Sequence, residues 1–212
     1  MRFIYLLHAI KPMRINILVI AAILLSYATS CISPTGSGKD FTKAELSLIK
    51  GADSIMRVLT IDNPADSFVL RDVSTNLSAE ALLSEDFAKL SNLMTATVTH
   101  PSQDGVGIAG PQVGLNRRVV VVQRFDKEGE PFEVYPNISI VWTSDSLAYG
   151  PEGCLSVPGR RGEVLRSQEI VIEYDKITES VETVRDTISG FTAVIFQHEI
   201  DHLDGVLYID RL

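Results

Sequence analysis

Cysteine is nearly absent from this chain: there are two in 212 residues, Cys31 and Cys154. That excludes a scaffold stapled by several disulfides and allows at most one internal bridge. Histidine occurs four times and tryptophan once. Positive charge is also scarce. Nineteen Lys and Arg stand against 27 Asp and Glu, a formal net charge of −8 and a pI of about 5.0. Such a balance excludes a nucleic-acid binder of the basic-patch kind. No internal repeat is visible, and the one long apolar run, residues 16–27 (NILVIAAILLSY), falls short of the ~20 residues that span a bilayer. What remains is 45% hydrophobic and 22% charged, the composition of one globular domain.

The apolar run belongs to a distinct leading segment. Residues 1–30 carry three basic residues (Arg2, Lys11, Arg14) and no acidic ones. Without them the body holds 16 basic against 27 acidic residues, a formal charge of −11. Basic residues, a short apolar stretch and the small residues Ala28, Thr29 and Ser30 describe a secretory signal. Cys31, directly after Ser30, resembles the lipidated cysteine of a bacterial lipoprotein, although Ala28 stands where that pattern usually has Leu. An uncleaved membrane anchor and an ordinary signal cleaved near Ala28 are the other readings. Met13 is itself a plausible start. Residues 31–40, small and polar, read as a flexible tether, and 41–212 as the folded domain. The expected location is the cell envelope, lipid-anchored and facing the periplasm; a cytoplasmic or inner-membrane place is the alternative.

In the body, apolar spacing predicts a helix over 41–59, with Gly51 as its weak spot, and another over 80–98. A Gly-rich turn covers 105–114. Strands are expected at 119–122, 132–135, 138–142, 170–174 and 181–187. A helix over 191–202 follows, and then a short final strand at 206–209. Strands joined by short loops, with helices gathered at the ends, predict an α+β fold of mostly antiparallel strands packed around a C-terminal helix.

That helix carries His198-Glu199-Ile200-Asp201-His202, an H-E-x-x-H. On a helix the two His share one face and can hold one metal, while Glu199 can act as general base toward water. A third ligand is needed. Ten residues downstream leave no room for a long helix bearing a ligand Glu, and a metzincin-type third His would fall on Tyr208. The search therefore moves upstream, where His100 is the only other histidine of the body and Cys154 the only thiol besides Cys31. Cys154 can serve packing, a nucleophile or a metal; beside an incomplete H-E-x-x-H the balance shifts toward metal.

Three separated stretches together resemble the peptide deformylase family. Gly105-Val106-Gly107-Ile108-Ala109-Gly110-Pro111-Gln112 is similar to its G-x-G-h-A-A-x-Q loop. Glu152-Gly153-Cys154-Leu155-Ser156 matches its E-G-C-L-S, and residues 197–202 match its Q-H-E-x-D-H. Gly110 stands where the family usually has Ala, which implies a slightly looser loop, and the chain closes at Leu212, before the C-terminal helix of many members.

The resemblance implies a hydrolase that removes the N-formyl group from N-formylmethionyl peptides. Cys154, His198 and His202 would be the metal ligands, for Fe²⁺ first, with Zn²⁺, Ni²⁺ or Co²⁺ able to replace it. Glu199 would be the general base. The Gln112 side chain and the Leu155 backbone N–H would stabilise charge on the formyl oxygen. Gly105 and Gly107 would let main chain approach the peptide, Glu152 would sit beside the metal pocket, and Arg161 would contact the peptide further along, a solvated surface Arg being the plain alternative. Phe191, Val194 and Ile195 could line a methionine side-chain pocket or simply belong to the helix core. Expected partners are the formyl peptide and a membrane through the lipid on Cys31, with no nucleic acid; a monomer is expected. An envelope metallopeptidase or amidase on the same scaffold, and a non-catalytic binder of formyl peptides or metal, are the competing readings.

Overall fold

The computed structural model describes residues 40–212. The expected signal, most of the tether and Cys31 lie outside the described residues. Among the described residues no helix is long and apolar enough to cross a membrane.

Four short helices come first: α1 (Lys43–Gly51), α2 (Pro64–Leu70), α3 (Ala79–Leu82) and α4 (Glu85–Val98). Their starts follow capping chemistry. Thr42 and Glu45 form a capping box on α1, Asn63 caps α2 with Pro64 as its first residue, and Ser78 and Ser84 cap α3 and α4. The strands β1 (Gly107–Ala109), β2 (Val119–Gln123), β3 (Phe132–Pro136), β4 (Ser139–Thr143), β5 (Leu147–Cys154), β6 (Val157–Ser167), β7 (Glu169–Ile177) and β8 (Val181–Ser189) follow, and then α5 (Gly190–Leu203). They make three antiparallel sheets, ordered β1-β2-β3, β4-β7-β8 and β5-β6.

β2 is the wall between two cores. Its four valines are wholly buried because both faces are covered. Val119 and Val121 face the cluster built with α4 (Phe87, Leu90, Met94, Val98). Val120 and Val122 face the cluster built with Ile170, Ile172 and the α5 residues Phe196, Ile200 and Leu203. Side chains alternate along a strand, so a run of one apolar residue type serves both sides. α5 is apolar over much of its surface and buried to match, and its polar residues after Thr192 are Gln197, His198, Glu199, Asp201 and His202.

Four expectations differ from the structure. The helix predicted over 41–59 ends at Gly51, and the chain continues extended: Leu59 N–H donates to Gln112 O at 2.8 Å and Ile61 N–H to Ser156 O at 2.9 Å. The helix predicted over 80–98 is broken, because Ser84 turns out of helical geometry to cap α4. The predicted final strand is a 3₁₀ turn, Tyr208–Arg211, closed by Leu207 N–H donating to the Asp210 carboxylate at 2.8 Å. Gly110 does not loosen its loop. A Cβ built there would lie 2.6 Å from Arg117 O and 2.7 Å from Leu115 O, so backbone is packed against it.

Candidate active site

Three stretches of backbone bring the site together. α5 places His198 and His202 one turn apart, with ring centroids 5.2 Å from each other. The β5-β6 hairpin delivers Cys154 at a shift of register between Gly153 and Cys154. β1 and the 3₁₀ turn after it (Gly110–Val113) deliver Gln112. Gln197 welds α5 to β6: its amide accepts from Ser167 N–H at 3.1 Å and donates to Ser167 O at 2.8 Å.

One donor atom each from Cys154, His198 and His202 lie within 4.8 Å of one another. His202 Nε2 is 3.2 Å from Cys154 Sγ. His198 Nδ1 meets Glu152 Oε2 at 2.7 Å, which leaves Nε2 of that ring for a ligand. One thiol and two imidazoles converging on one point fit a divalent transition metal. Burial and the neighbouring His198 keep His202 well below the ordinary imidazole range, and therefore neutral. Burial opposes charge on His198 too, but hydrogen bonds with Cys154 and Glu152 outweigh it and hold that ring up at about 10. Glu152 is buried, yet bonds from His198 and Arg166 bring it down to about 2.

Glu199 is buried next to these donors, and its Oε2 has no hydrogen-bond partner among the described residues. Burial pushes its carboxyl up to about 7. Gly107 makes the room: a Cβ there would fall 2.5 Å from Glu199 Oε1. The resemblance assigned Gly107 to substrate approach; the structure gives it a second reason, housing the base. Gln112 is fixed at both ends. Its Oε1 accepts from Ala109 N–H at 2.8 Å, and its Nε2 points at Ser156 Oγ (3.2 Å) and Cys154 Sγ (3.6 Å).

All of this opens on one cavity of about 850 Å³. Gly105, Gly107, Gln112, Glu152, Cys154, Leu155, Arg161, His198 and Glu199 line it, and His202, fully buried, joins them through Cys154, so the structure brings every predicted site residue of the described chain to one place. Phe191, Val194 and Ile195 form part of the wall. Sequence reasoning gave no role to Ser156, Arg166 or Arg211, and quoted Asp201 and Gln197 only as motif letters. No sequence signal marks Arg166: it sits 14 residues from its partner Glu152, and the β5-β6 register sets it opposite Ala148 instead.

The comparisons with known proteins agree with this geometry. The polypeptide deformylase family model matches residues 55–212. A peptide deformylase of Leptospira biflexa is 36% identical over 167 residues, covering 75% of this chain and 88% of the relative. One from Caulobacter vibrioides is 38% identical over 161 residues, with the same coverage. Among solved structures, a class I type b peptide deformylase of Acinetobacter baumannii with Met-Ala-Ser bound superposes with a TM-score of 0.65 at 34% identity. It covers 74% of this chain and 98% of that one. The Thermotoga maritima peptide deformylase gives 0.64 at 33%, covering 76% and 99%.

Proposed function

The chain belongs to the polypeptide deformylase family, and on that premise we propose how its residues divide the work. It is a metal-dependent hydrolase that removes the N-formyl group from peptides. The relatives reported above are deformylases, which speaks against a general peptidase or amidase on the same scaffold.

Cys154, His198 and His202 would hold a divalent ion, Fe²⁺ by preference with Zn²⁺, Ni²⁺ or Co²⁺ as substitutes. When bound, such an ion supplies a Lewis acid and makes water acidic near neutrality. Glu199 takes the proton from the attacking water and hands it to the leaving amine. Its burial and its unpartnered Oε2 leave that carboxylate free to accept and return the proton. Gln112 Nε2 and the Leu155 N–H face the formyl oxygen as charge develops there. The peptide lies along residues 105–107 in the manner of an added strand, with Arg161 further along and Phe191, Val194 and Ile195 around its methionine side chain. The observation that carries this reading is Glu199: a buried carboxylate with a free oxygen, beside three convergent donors.

The test is formate release from formyl-Met peptides by the purified, metal-loaded chain. Glu199→Ala should lower it by about 10²–10⁴-fold while the bound metal is retained. Metal-loaded protein that releases no formate refutes the proposal. The leading segment supports a second part: a lipid on Cys31 would hold the enzyme in the cell envelope, where it would act on exported or extracellular formyl peptides. Fractionation of spheroplasts tests this part, and recovery of the protein in the soluble cytosol refutes it.

A further inference from the structure

Arg211 grips the carboxylate of Asp201 with two parallel bonds, Nε to Oδ2 at 2.6 Å and Nη2 to Oδ1 at 2.5 Å. Asp201 lies on α5 between the two imidazoles of the metal motif. Its Oδ2 also accepts from Arg166 Nη1 at 2.6 Å. Arg166 turns its other edge to Glu152, with Nε to Oε1 at 2.7 Å and Nη2 to Oε2 at 3.1 Å. Glu152 Oε2 then meets His198 Nδ1 at 2.7 Å. Positive and negative groups alternate along this line. Its inner members are buried and only Arg211 has substantial contact with solvent.

We infer that Arg211 is a positioning residue for the His198 imidazole, acting through Asp201, Arg166 and Glu152. The inference rests on the metal reading proposed above. Its physical basis is the sharing of one guanidinium. Arg166 serves two carboxylates. With Arg211 in place, Asp201 has a second cation, and Arg166 is left to face Glu152 squarely. Without Arg211, Asp201 draws on Arg166 alone, the fork turns toward it, and Glu152 loses part of the contact that fixes its orientation. The His198 ring then loses its hold, and a metal ligand held loosely binds less well.

The turn that carries Arg211 has its own anchors. Asp210 is gripped by Arg71 and accepts from Leu207 N–H at 2.8 Å. Tyr208 is buried, with its ring stacked on His198 at 6.0 Å between centroids. Removal of the Arg211 side chain therefore leaves the turn in place, so its effect on the metal can be read separately from unfolding.

The experiment loads the whole protein with Co²⁺ and measures its ligand-field spectrum, its rate of metal loss to a chelator, and kcat and KM on formyl-Met-Ala-Ser. Arg211→Ala should lose Co²⁺ about tenfold faster, with an altered spectrum and a kcat that falls more than KM changes. Arg211→Lys keeps the charge without the fork and should fall between. Asp201→Asn combined with Arg211→Ala should lose metal no faster than Asp201→Asn alone, because both cut the same line. A merely structural role lowers the melting temperature and leaves the Co²⁺ spectrum and loss rate unchanged. That result overturns the inference, whether read in Arg211→Ala or, where that variant does not fold, in Arg211→Lys. Wild-type protein that takes up no Co²⁺ overturns the metal reading beneath it, and so the two failures are told apart.

Discussion

Arg124 and Arg166 are both buried, and they are buried for different ends. Arg124, with 3% of its side chain exposed, binds Asp126 with two bonds (2.8 and 2.6 Å) and reaches Tyr135 and Asp186; Glu133 accepts from the Tyr135 hydroxyl at 2.5 Å. The carboxylates around it are 30–37% exposed. Arg166, with 4% exposed, has carboxylates that are only 5% and 12% exposed, and its line ends on the His198 imidazole of the candidate site. The first network has one foot in water and ties β2, β3 and β8 together. The second is buried apart from Arg211 and leads to the His198 imidazole. A buried cation is thus no mark of function in itself; what matters is where its partners lead.

Breaking the second network should cost most. Arg166→Met strands the buried Glu152 carboxylate and leaves Asp201 to Arg211 alone, and should destabilise the protein by about 3–5 kcal/mol in denaturant titrations, with metal lost as well. A loss below about 1 kcal/mol with metal retained would remove the distinction.

The next effect is a pH dependence confined to the site. In metal-free protein Glu199 titrates at about 7, above its ordinary 4.5. As pH rises from 4.5 to 7 the unfolded chain releases this proton and the folded one keeps it, so stability falls by about 3 kcal/mol over that window. Glu152 acts in the opposite sense. It stays ionised in the fold down to about 2, and its contribution, present above 4.5, is lost as pH falls toward 2. His202, held neutral in the fold, opposes Glu199 below pH 6.5, where the unfolded chain takes up a proton that the fold excludes, so the wild-type melting curve flattens there and the Glu199 effect is read from its variant. Glu199→Gln should melt higher than wild type at pH 7, at the expense of activity; an equal or lower melting temperature contradicts the assignment.

The smallest effect should come from Arg124→Met. Its carboxylates can rehydrate, so the cost should be about 1 kcal/mol, and kcat and metal content should stay at wild-type values. A fall in kcat would show that the two networks are not separate.

Much of this was legible beforehand because local chemistry and tertiary role coincided. The valines of β2 could only be a buried strand, and the His198 and His202 spacing makes sense only on a helix. The β5-β6 hairpin was not legible. Gly150, Pro151, Gly153, Pro158, Gly159 and Gly162 punctuate it, so it reads as a loop around a motif, and only pairing across the hairpin reveals two strands. The break before α4 was written in Ser84 followed by Glu85 and Asp86, yet Leu82 and Leu83 continued the apolar pattern and masked it. Arg211 carried no signal at all, because its partner Asp201 owes its importance to Arg166, 35 residues away.

Cys154 and His202 lie 48 residues apart in the chain and touch only after β5-β6 has docked on α5. No stretch emerging early from synthesis holds more than part of the donor set. Closing so long a loop is slow compared with forming a helix or a local turn. The ability to capture metal therefore arrives late on the folding pathway, at the step where the hairpin and the helix meet. Metal uptake followed in time during refolding should trail the appearance of helix, and would serve as a clock for the last assembly step.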